Sequence, residues 1–138
     1  MQDLSLPPQF RATFKLLAEQ NVQYLQAVGG GHPVHTSREL ALRAGFTDIP
    51  LAGIHVLGSA MATFTRQFAA NPMQLLNVDV KFLRPVYPGD ELVLLLERGH
   101  TDHVPPAPFH AARYQGACLN AEGRKAVVLD FTVRVALA

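Results

Sequence analysis

Ile54-His55-Val56-Leu57-Gly58-Ser59-Ala60-Met61-Ala62-Thr63-Phe64-Thr65-Arg66-Gln67-Phe68 is the stretch that decides the fold. Ile54, Leu57, Met61, Phe64 and Phe68 recur at steps of three and four, which is one apolar stripe of an α-helix. The side opposite is small rather than charged, with Gly58, Ser59, Ala60 and Ala62, and the first charge is Arg66 near the end. A helix with a bulky stripe and small residues opposite is expected to be buried on most sides. A sheet wrapped around one central helix would supply that environment.

The sequence downstream supplies the strands. Beyond Asn71-Pro72 the period changes to two: Val78, Val80 and Phe82 alternate with Asn77, Asp79 and Lys81, the pattern of a half-buried strand. Pro85 and Pro88-Gly89-Asp90 mark a turn, and Leu92 to Leu96 is a continuous apolar run of strand length. Ala112 to Leu119 and the alternating Val127 to Val135 flank Asn120-Ala121-Glu122-Gly123, which reads as a hairpin. Gly99 to His110, with Pro105, Pro106 and Pro108, reads as a long loop. Upstream, Arg11 to Val28 places Phe14, Leu17, Val22 and Leu25 at roughly helical spacing, and Gly29 to Gly31 end it. Thr36-Ser37-Arg38-Glu39 has capping-box spacing, predicting a second helix from near Ser37 with Thr36 as its cap, and Gly45 stands where a left-handed C-terminal cap belongs. Short helices, one buried helix and then an antiparallel meander make an α+β plan.

Composition narrows the function classes. The 138 residues are expected to form a single domain, 1–138, since a chain of this size buries roughly 68–70% of its unfolded surface. A net charge of +1 offers no electrostatic case for nucleic acid or an acidic membrane as partner. The one cysteine, Cys118, cannot form an internal disulfide and lies in a predicted strand, so it reads as a small core residue of a protein from a reducing compartment. There is no basic-then-apolar leader and no apolar run near the ~20 residues that span a bilayer, so the expected location is the cytoplasm.

Three stretches resemble the MaoC-like family of (R)-specific enoyl-CoA hydratases and 3-hydroxyacyl-thioester dehydratases. They are Gly29-Gly30-Gly31-His32-Pro33-Val34-His35 after a helix, Ala44-Gly45-Phe46 leading to His55, and Phe82-Leu83-Arg84-Pro85-Val86-Tyr87-Pro88-Gly89-Asp90. The resemblance implies the hot-dog fold, in which an antiparallel sheet wraps around one central helix. It implies addition of water to an enoyl thioester, or the reverse dehydration, carried on coenzyme A or an acyl-carrier protein. No cofactor is implied. Hot-dog domains generally pair into dimers, so a homodimer, or a heterodimer with a related chain, is implied as well.

The chemistry needs water activated at the β-carbon and a proton delivered to the α-carbon, work that two titratable groups can share. Family members use an aspartate and a histidine, with a backbone amide at the head of the central helix polarising the thioester carbonyl. In this chain His35 matches the histidine, but Gly30 stands at the aspartate position and His32 at that of an asparagine before the proline. The His-Gly of the helix entrance is Gly53-Ile54. The candidate catalytic residues are therefore His35 and His32, a neutral imidazole being a competent base near neutral pH. Gly30, Gly53, Ile54, His55 and Asp48 are the candidate substrate-contacting residues, Ile54 being bulky enough to narrow an acyl site. Lys81 and Arg84 read either as contacts for the phosphates of the carrier arm or as solvated charges. The His-x-x-His pairs His32/His35 and His100/His103 lack the further converging ligands of a metal site. Gly29-Gly30-Gly31 has no following Lys-Ser or Lys-Thr and reads as a turn, not a phosphate loop. Three functions fit: a hydratase or dehydratase with a divergent site, a non-catalytic acyl-binding or partner subunit of a heteromeric hydratase, or a thioesterase or polyketide-tailoring protein using the same pocket.

Overall fold

A computed structural model describes residues 6–136. In chain order these form β1 (Gln9–Lys15), α1 (Ala18–Ala27), a 3-10 turn (Pro33–His35), α2 (Arg38–Arg43), α3 (Gly53–Arg66), β2 (Met73–Phe82), β3 (Glu91–Gly99), β4 (Phe109–Leu119) and β5 (Lys125–Ala136). The strands make one antiparallel sheet in the order β1-β3-β4-β5-β2. The expected meander therefore covers only β3-β4-β5. The chain crosses over so that β2 pairs with β5 at one edge and β1 with β3 at the other.

Alternation decides which side chains meet α3. Phe10, Ala12 and Phe14 of β1 stand opposite Leu96, Leu94 and Leu92 of β3, while Tyr114 and Cys118 of β4 stand opposite Phe131 and Val127 of β5. The apolar run of β3 is thus split by the pleat: Leu92, Leu94 and Leu96 are buried, whereas Leu95 is turned to the outer face and exposed. From the helix, Val56, Ala60, Met61 and Phe64 complete the core. Phe64 has no exposed surface and lies 4.9–5.2 Å, ring to ring, from Phe10, Phe68, Tyr114 and Phe131. On the outer face, Arg113 of β4 pairs with Asp130 of β5. The Arg113 hydrogen bonds from β4 hold Asp130 of β5 below the usual carboxylate range.

Three local expectations need correction. The span from Arg11 is not helical: residues 9–15 are β1, and the helix occupies only Ala18–Ala27. Phe10, Ala12 and Phe14 alternate with Arg11, Thr13 and Lys15, and pairing with β3 outweighs the weaker helical spacing of Phe14 and Leu17. The cap of α2 is Ser37, whose hydroxyl accepts from the Leu40 amide at 3.2 Å; the Thr36 hydroxyl turns back to the Pro33 carbonyl. Finally, the burial expected for α3 is incomplete: most of its positions are buried or half-buried, but Ile54 and Gly58 are exposed. The sheet covers one face of the helix and leaves part of the small-residue side open. Among the described residues no helix is long and apolar enough to cross a membrane.

Because Phe64 packs its ring against β1 and the β4-β5 hairpin at once, Phe64→Ala should lower unfolding stability by about 3–5 kcal/mol, read from urea denaturation. A loss below 1 kcal/mol would show that the aromatic cluster does not organise the core.

Candidate functional site

The candidate site is built at the head of α3. Its N-cap, Ala52, has no side chain able to cap; the His55 amide donates to the Ala52 carbonyl at 3.0 Å, and the amides of Gly53 and Ile54 are the ones left open. Those amides and the positive end of the helix favour an oxygen carrying developing negative charge. The loop before the helix is tied to the segment after β2, because the Leu51 amide donates to the Val86 carbonyl at 2.8 Å. Phe82, the last residue of β2, lies across the first turn: a Cβ on Gly53 would stand 2.9 Å from the Phe82 ring. Gly53 is what lets helix and aromatic wall approach.

His35 closes the site from the other side. Its Nδ1 lies 2.9 Å from the carbonyl oxygen of Pro50. A carbonyl can only accept, so Nδ1 carries the proton, and the lone pair of the neutral ring is on Nε2. The backbone of the same turn is held by α1, where the Asn21 side-chain amide donates to the His35 carbonyl at 3.4 Å. Together His35, Pro50, Gly53, Ile54 and Phe82 border a pocket of about 420 Å³, with Leu83, Arg84 and Val127 among its other walls. Arg84 is anchored by its hydrogen bond to the Lys125 carbonyl. Within that lining His35 and Arg84 are the only side chains able to carry charge.

Of the residues singled out from the sequence, the structure brings together His35, Gly53 and Ile54. His32 is exposed, and its Nδ1 accepts from the Val34 amide at 3.0 Å, so its lone pair caps its own turn. Gly30 has φ +96° and donates its amide to the Leu25 carbonyl, ending α1. That conformation suits glycine, and an aspartate there would be strained. Asp48 pairs with Arg38 at 3.0 Å and also accepts from the Ile49 amide, away from the pocket lining. His55 points to the opposite flank of α3. There it stacks on Tyr24 of α1, with centroids 4.5 Å apart and planes 3° from parallel, beside a crevice of about 320 Å³. Its Nδ1 is buried without a hydrogen-bond partner, and burial lowers its pKa from the ordinary 6.5. Cys118 is buried in the core, where desolvation pushes its thiol up to about 12, so it is inert.

Pro50, Phe82 and Asn21 were not read from the sequence as site residues. A backbone carbonyl such as that of Pro50 leaves no sequence signal. Phe82 did carry one, as the last inward position of an alternating strand. A larger trough of about 910 Å³ runs along the outer face of the sheet past Arg11, Leu95, Glu97 and Gln115, but it has neither a histidine nor a helix terminus. We therefore take the smaller pocket at His35 as the candidate site.

Against known families, residues 2–108 match the model of the MaoC like domain. Among curated proteins none matches the sequence. Among solved structures, the (R)-hydratase from A. caviae involved in PHA biosynthesis is similar, at 17% identity over 96% of this chain and 98% of that one, with a TM-score of 0.76. The MaoC-like dehydratase from Rhodospirillum rubrum is 19% identical over 99% and 95%, with a TM-score of 0.77. The C-terminally truncated HadBC (3R-hydroxyacyl-ACP dehydratase) complex from Mycobacterium tuberculosis is 20% identical over 91% and 92%, with a TM-score of 0.69. At such identities the likeness is one of fold, and the fold is the hot-dog fold.

The lowered pKa of His55 has a consequence for stability. The unfolded chain takes up its proton first, so stability falls as pH drops through 6.5 towards the folded value and stops falling below it. In melting curves from pH about 8 to about 5, His55→Phe, which keeps a ring against Tyr24, should flatten that part of the profile. Parallel profiles for the two proteins would refute the assignment.

Proposed function

This chain belongs to the MaoC-like domain family, and we propose that it is an acyl-thioester hydratase or dehydratase whose general base is His35. The observation that carries the reading is the fixed tautomer of His35: the Pro50 carbonyl holds Nδ1–H and leaves the Nε2 lone pair for a pocket that also meets the open head of α3. A base and a set of free amides on one cavity are what addition of water to an enoyl thioester requires.

The thioester carbonyl lies against the first-turn amides of α3. His35 Nε2 takes a proton from water as the water oxygen bonds to the β-carbon. The electron pair of the double bond moves towards the carbonyl, where the amides stabilise the enolate, and the imidazolium returns the proton to the α-carbon. Dehydration is the same path reversed. With one titratable group doing both transfers, the reaction is slower than with two, since one general acid or base contributes ~10²–10⁴ in rate. Arg84 at the pocket supplies a cation for a phosphate of the carrier arm.

The same lining favours a second reading. Since only His35 and Arg84 can be charged there, a partner hot-dog chain could supply the missing acid, making this chain one half of a heteromeric hydratase. The edge strand β2 has room for such a partner: Leu75, Leu76 and Phe82 on it and Leu83 just after it are exposed. Solved neighbours include two complexes from Mycobacterium tuberculosis, HadBC and ChsH1-ChsH2.

Hydration of crotonyl-CoA by the purified chain, followed at the enoyl absorbance, tests the proposal. His35→Ala should lower kcat by ~10²–10⁴ while crotonyl-CoA still binds in calorimetry. An inactive chain that binds crotonyl-CoA and gains activity with a co-purified hot-dog partner would establish the second reading. Release of free thiol instead of hydration would make the pocket a thioesterase, and activity indifferent to His35→Ala would overturn the site.

A further inference from the structure

Ile54 lines two cavities at once. On one side is the His35 pocket of about 420 Å³; on the other is the crevice of about 320 Å³ between α1, the end of β1 and α3. The crevice has an apolar wall in Phe14, Leu16 and Tyr24 and, on the helix side, Gly58 and Ala62, while Lys15, Gln20, Ser59, Thr63 and Arg66 make the rest of its lining polar. It is open at Gly58, which is exposed and where an added Cβ would meet nothing within 4 Å. Each cavity taken alone is near the bottom of the ~300–1,000 Å³ typical of small-molecule sites.

The position of Ile54 makes it a partition. It is the second residue of α3, and side chains on a helix lean towards its N-terminus, so this one leans over the open first turn. With 60% of its surface exposed, it projects from the helix instead of packing into the core. A β-branched side chain in a helix has one strongly favoured χ1, so the wall it forms is stiff. The residue whose backbone amide faces a thioester carbonyl would therefore also place its side chain beside the first carbons of the acyl chain.

We propose that Ile54 sets the acyl-chain length, confining this protein to short-chain thioesters, and that the crevice beside His55 and Tyr24 is an acyl-tail compartment closed off by that side chain. This rests on the proposed function. Shortening residue 54 joins the two cavities and admits a long chain; refilling the crevice from Gly58 closes it again.

The test compares crotonyl-CoA with trans-2-dodecenoyl-CoA, by kcat/KM for hydration and by Kd in calorimetry, so that a binding-only protein still gives a readout. Wild type should favour crotonyl-CoA. Ile54→Ala should raise the ratio of the dodecenoyl to the crotonyl value by about tenfold or more, and Ile54→Val should shift that ratio less in the same direction. Adding Gly58→Leu to Ile54→Ala should cancel the gain; thermal melts of each variant confirm that it is folded. Equal handling of both chain lengths by wild type, parallel shifts for both substrates, a change only in oligomeric state, or a gain that survives Gly58→Leu would each overturn the inference. If no acyl-CoA binds at all, the proposed function itself fails. If crotonyl-CoA binds or is hydrated in a His35-dependent way while chain length is indifferent to residue 54, only this inference fails.

Discussion

The packing of Phe64 against the curved inner face of the sheet is the constraint on which the rest depends. A sheet with Phe10, Leu94, Tyr114 and Phe131 on one face must cover them, and the apolar side of α3 does so. Once that side is seated, the helix has no freedom to slide or turn without breaking ring contacts on several strands at once. Its first turn is thereby placed beside Phe82 at the end of β2 and the loop carrying Pro50. The core and the site are one construction: a strand that contributes to the core ends in the pocket wall, and the helix that fills the core opens its amides into the same space.

His35 is rigid for related reasons. The Pro50 carbonyl orients its ring, and Asn21 tethers its backbone to α1. Asn21 is itself 95% buried, with its side-chain oxygen unpartnered, so its burial is offset only in part by that one long hydrogen bond. His32, two residues after Gly30 and three before His35, is directed otherwise, because its lone pair serves the Val34 amide. Nearby histidines thus have different tautomers and different surroundings, and only one of the pair meets the cavity. In the proposed reaction a partner chain is therefore the alternative source of an acid.

Much of the fold was legible in the residues. The helix stripe from Ile54 to Phe68 and the alternation from Val127 to Val135 are long, regular signals; β5 spans its signal, and α3 follows its own as far as Arg66, with Phe68 just beyond the end. The first strand was harder to read. Seven residues with only Phe10, Ala12 and Phe14 inward carry a weak alternation, and Leu17 and Val22 happen to extend it at helical steps; pairing with β3, which begins some eighty residues later in the chain, settles the matter. The α2 cap was misplaced by one position because Thr36 and Ser37 offer the same chemistry to the same amides, and the 3-10 turn at Pro33 decides which hydroxyl is aimed forward.

The sequence by itself determined the longer regular elements, α3 and β5 among them, because these follow from short-range periodicity, and its resemblance to the MaoC-like family implied the hot-dog fold and His35 as a candidate site residue. Only the tertiary structure decided what each candidate faces. His55 and Ile54 are neighbours in sequence, yet one stacks on Tyr24 across the helix while the other borders both cavities. Gly53 is small because an aromatic ring from β2 crosses it, and the protonated nitrogen of His35 is chosen by a carbonyl fifteen residues away. Such facts depend on distances between segments remote in sequence, and no local pattern of residues encodes them.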